Sequence, residues 1–108
     1  MQFVVSIYKN SDIESLITIG DSFVVYVPKM SCVYDPELHL DEALEKLDNH
    51  DVILGINKVF LEDELDDLRS FMNAYSKFKF LVSDLGAIQI AKELGIKDRI
   101  IYDPNTLI

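Results

Sequence analysis

FKFLVSDLGAIQIAKELG, residues 78–95, holds one complete unit of the fold. Phe78 to Val82 is an apolar run broken only by Lys79, as a buried strand requires. Asp84 is placed to cap a helix, Ala87, Ala91 and Leu94 recur on one helical face, and Gly95 is placed to stop it. Strand, cap, amphipathic helix and glycine follow one another in eighteen residues, which is the grammar of a parallel βα unit.

The same order recurs outward from this stretch. Phe3–Ile7, Phe23–Val27, Val52–Ile56 and Arg99–Tyr102 read as further strands, continuous rather than alternating in apolar character, so both strand faces are expected to be buried and helices are expected to cover one. Ser11 with Glu14 has capping-box spacing, Ile13, Leu16 and Ile17 form a stripe, and Gly20 is expected to end that first helix in a left-handed turn. Leu40, Ala43, Leu44 and Leu47 define a second helix; Leu61, Leu65, Leu68, Met72 and Tyr75 define a third. The expectation is an α/β fold of five parallel strands with four crossover helices, and a single domain over residues 1–108.

Charge and cysteine content remove several function classes. Ten basic residues against 19 acidic ones give a net charge of -9, which repels nucleic-acid phosphates and anionic membrane surfaces. No apolar stretch approaches the roughly 20 residues of a membrane span. Cys32 is the single cysteine, so neither an intrachain disulfide nor a multi-cysteine metal or iron–sulfur site can be built, and a reducing cytoplasm is the expected location. No cofactor is expected: the four glycines form neither a dinucleotide fingerprint nor a phosphate loop. A phosphoacceptor receiver would need paired acids after the first strand and an aspartate after the third, where this chain has Tyr8 with Lys9, and Asn57.

Ligands of parallel α/β folds bind beyond the carboxyl ends of the strands. The candidate binding residues there are Lys9, Lys29, Asn57, Lys58, Asp84 and Asp103, with Asn105 and Thr106 beyond them. Three lysines on one rim, beside helix N-termini, suit a small phosphate or carboxylate. Asn57 is the most informative, because an amide ending an apolar strand must be paired if buried. Lys29 to His39, containing Cys32, is the longest connection, a length that often carries function. The acidic run Glu62, Asp63, Glu64, Asp66 and Asp67 reads as a solvated helix start, without calcium-loop spacing, and His39 and His50 as loop residues. No metal site is expected.

Gly20-Asp21 with Phe23–Val27, Val82–Gly86, Lys92–Gly95 and Tyr102–Leu107 together resemble the collagenase-like peptidase family, number thirty-two among the peptidases of unknown mechanism. The resemblance implies a (βα)8 TIM-type barrel of which this chain is the amino-terminal half. It also implies a substrate-binding rim built from the residues named above, and peptidase chemistry. Some members are tied instead to RNA modification or cofactor hydroxylation through iron–sulfur cysteines outside the matched region. This chain has none of those cysteines and carries Pro28 where the family usually has glycine, so no complete catalytic site is implied here. Half of a barrel leaves an apolar inner wall and two open sheet edges. Either a homodimer or the missing carboxy-terminal half is expected to cover them, unless the chain rewinds into a flavodoxin-like doubly wound sheet.

Overall fold

A computed structural model describes residues 2–104 of the 108; Asn105, Thr106 and Leu107 lie outside the described residues. Five parallel strands form one sheet: β1 (Val4–Ile7), β2 (Ser22–Tyr26), β3 (Asp51–Gly55), β4 (Lys79–Val82) and β5 (Ile100–Tyr102). They alternate with α1 (Ile13–Leu16), α2 (Leu40–Lys46), α3 (Leu65–Ala74) and α4 (Leu85–Glu93). Each strand lies within a residue or so of its expected position. The spatial order is β1-β2-β3-β4-β5, without the reversal between the first strands that a flavodoxin-like sheet has.

The register separates the two faces of the sheet. Ile7, Val25, Leu54, Phe80 and Ile100 stand in one row across all five strands, and Val5, Phe23 and Val52 in the next. These side chains form a single core with Ile13 of α1, Ala43 of α2, Leu68 and Met72 of α3, and Ala87, Ile90 and Ala91 of α4. All four helices therefore contribute to the core on one face of the sheet. The opposite face carries Ser6, Val24, Ile53 and Lys79 in one row and Tyr26, Gly55, Leu81 and Ile101 in another. Val24 and Ile53 are buried, at 6% and 8% exposure, yet belong to no part of the helix-side core.

Helix ends follow local chemistry, with three departures from the expected scheme. Asp84 caps α4 by accepting a hydrogen bond from the Gly86 N–H at 2.8 Å, and Gly95 stops it at φ +76°. Gly20 does not adopt a left-handed turn: a Cβ there would meet the Phe23 ring and Val5 Cγ2 at 2.8 Å, so close approach requires this glycine. Ser11 makes no capping hydrogen bond, because α1 is entered through a 3-10 turn, Asn10–Asp12. Leu61 lies outside the packed face of α3, 66% exposed, in the turn where its N–H donates to Glu64 at 2.8 Å. Among the described residues the left-handed positions outside glycine are Lys29 and Asn49, both in connections.

Candidate functional site

The rim at the carboxyl ends of the strands is held by hydrogen bonds among its own parts. Ser31, buried, donates toward the carbonyl oxygens of Val27 at 2.9 Å and Gly55 at 2.5 Å, fastening the start of the long connection to the ends of β2 and β3. Ser83 Oγ donates to the Asp103 carbonyl at 2.6 Å, joining the ends of β4 and β5. Asp84 has a second bond beside its capping bond: its other oxygen accepts the Phe60 N–H at 2.6 Å, so one carboxylate ties the β3–α3 connection to the start of α4. Asn10 and the His39 backbone exchange two bonds, at 2.9 and 2.8 Å, closing the loop after β1 against the entry to α2.

The three rim lysines do not act as a set. Lys58 is bound to Glu64 at 2.7 Å and lies 5.1 Å from the centre of the Phe60 ring, and this ammonium, with the Leu61 N–H, holds the Glu64 carboxyl below the usual range. Lys9 faces Asp35 at 4.0 Å, largely solvated, and borders a hollow of about 240 Å³ with Asn10, Ser11, Glu37 and His39. Lys29 is exposed in its left-handed turn. Asn57 is buried at the end of β3, and Asp103 continues β5 through its N–H to the Val82 carbonyl at 2.8 Å. The structure thus gives Asp84, Ser83 and Ser31 architectural roles and leaves Lys29 and Lys9 outermost.

Two features escaped sequence reasoning. On the open face the Tyr8 and Tyr26 rings stack in parallel, 4.7 Å apart at 5°. Burial, then the neighbouring Tyr26, raises the Tyr8 phenol above its ordinary value. Gly55 makes room for this arrangement, since a Cβ there would come within 2.8 Å of Tyr26 Cδ1. At the other end of that face Ser22 donates to Asp51 at 2.7 Å and Lys79 approaches the same carboxylate at 3.2 Å. The serine first, then the lysine, lowers the Asp51 carboxyl. The signal for these groups was available only as register: Tyr8, Tyr26, Ser22, Asp51 and Lys79 all have the same parity as Val24 and Ile53, opposite to the core row.

A hollow of about 740 Å³ lies away from the rim, between α2 and the end of α3 near the starts of β3 and β4, with Leu44, Val52, Tyr75 and Phe78 in its lining. Tyr75 donates to Asp41 at 2.8 Å across it, and this bond raises the Tyr75 phenol. The Ser22–Asp51 contact brings no imidazole to the hydroxyl, since His50 packs edge-on against Phe23 at 5.5 Å; it fastens the starts of β2 and β3. No helix among the described residues is long and apolar enough to cross a membrane. Comparison with models of protein families, with curated proteins and with solved structures finds no match for this chain.

Proposed function

We propose that this chain forms the amino-terminal half of a (βα)8-type barrel of the collagenase-like peptidase kind. In this reading it contributes part of a substrate- or anion-binding rim and holds no complete catalytic site. The supporting observation is one-sided packing: a parallel sheet in unbroken order β1 to β5 whose four helices all feed one core. A barrel wall has that construction, with helices outside and a second face turned inward. The rim agrees, because its serines and Asp84 fix the βα loops at the carboxyl ends while Lys9 and Lys29 stay outermost. A substrate gripped there would also need loops from the remaining strands.

The test is reconstitution. Mixed with a separately expressed carboxy-terminal half of a collagenase-like peptidase barrel, this chain is expected to co-elute one to one. Leu81→Lys, on the open face, is expected to abolish that association while the chain stays folded by circular dichroism. Failure to co-elute, or co-elution indifferent to Leu81→Lys, refutes the reading.

A further inference from the structure

We infer that, in the absence of a second barrel half, the site of closure is taken by a second copy of this chain, related by a two-fold axis parallel to the strands. The inference rests on the half-barrel reading and names its partner. Three observations carry it.

The first is charge. Two copies each bear -9, so contact is least opposed where acids are few or paired. The outward surfaces of α2 and α3 do not qualify, with Asp41, Glu42 and Glu45 on α2 and Asp66 and Asp67 on α3. On the open face the charged residues of the strands are Asp51 and Lys79, which neutralise each other at 3.2 Å.

The second is the chemistry of the edges. Proteins protect exposed edge strands with charges, prolines or bulges. Among the described residues neither edge strand carries a charge or proline within its span: β1 reads Val-Val-Ser-Ile and β5 reads Ile-Ile-Tyr, with Val4 at 59% and Ile101 at 39% exposure. These are strands suited to pairing. Because the sheet is all parallel, rotation about an axis along the strands leaves every strand direction unchanged. The free edge of β5 then meets β1 of the partner in parallel, and the reverse pairing forms at the other seam. One symmetry operation removes both edges together.

The third is the polarity of the open face. An eight-stranded barrel fills its interior with side chains, mostly bulky and branched. The wall here has Ser6, Asp51 and Lys79 toward the strand starts, exposed groups that need water. Two copies close a ring of ten strands, twice the five of one chain, whose wider interior has room for that water.

The experiment is sedimentation of the intact chain over a concentration series. The mass is expected to rise from that of one 12.4 kDa chain to that of two across the micromolar range and to go no higher. Ser6→Lys, at an exposed site on the β1 edge, is expected to raise the dissociation constant at least tenfold. Lys92→Glu, on the outer side of α4, is expected to leave it within a factor of about two. A monomer at every concentration overturns the inference, as does growth beyond two chains or a dimer insensitive to Ser6→Lys. A chain that stays monomeric yet accepts the carboxy-terminal half loses the second copy and keeps the half-barrel reading. A chain that does neither loses both.

Discussion

The two faces of the sheet use the same strands in different ways. On the helix side Val25, Leu54 and Phe80 stand fully buried in one row, and every helix adds an apolar side chain to them. One residue along each strand, the other face sets Val24 and Ile53 between Ser6 and Lys79, and places two stacked tyrosines at its upper end. The helix side holds the core of the chain; the other side mixes buried Val24 and Ile53 with exposed Ser6 and Lys79. The two parities of the same strands thus differ in what they pack against.

Truncation measures that division most directly. Leu54→Ala, in the helix-side row, is expected to cost about 2–5 kcal/mol in urea unfolding, whereas Leu81→Ala on the open face should cost roughly 1 kcal/mol for the monomer. Equal costs would erase the distinction between the faces. Gly20 comes next: Gly20→Ala drives a methyl group into Phe23 and Val5 and is expected to cost about 1–3 kcal/mol, against roughly 1 kcal/mol for Gly95→Ala, which meets only the left-handed backbone preference. If the two substitutions cost the same, contact with the core is not what holds Gly20.

Asp84→Ala removes two hydrogen bonds at the rim and should cost about 1–2 kcal/mol, with Asp84→Asn keeping part of it. The smallest expected effect belongs to the open face. Asp51 has a lowered pKa when folded, so the unfolded chain binds the proton more readily. Its contribution is present above the unfolded value of about 3.9 and fades as pH falls below that. Because the carboxylate is 41% exposed, solvent screening limits the contribution to about 0.5 kcal/mol. Asp51→Asn should therefore flatten the acid limb of stability against pH slightly; an unchanged limb would show that the Ser22 and Lys79 contacts do not persist in solution.

Strand positions, the Asp84 cap and the Gly95 stop were legible because each depends on residues a few positions apart. The difference between the faces was less visible: unbroken apolar runs such as Val52–Ile56 suggest burial on both sides, and only register shows which alternate residues meet helices. Gly20 illustrates a further limit, since a glycine after a helix reads as a turn when its actual neighbour is an aromatic ring across the core. Among the site candidates, Asp84 and Asn57 carried local signals. The pairing of Lys58 with Glu64 did not, because it depends on how the intervening turn folds back. The stacked tyrosines belong to different strands, and their meeting follows from the pairing of β1 with β2.

The double duty of Asp84 has a kinetic consequence. Its two oxygens hold the amides of Phe60 and Gly86, which are 26 residues apart in sequence, so a turn of this one carboxylate frees both together. In deuterated solvent those two amide protons should be lost in step, as one gate with two latches.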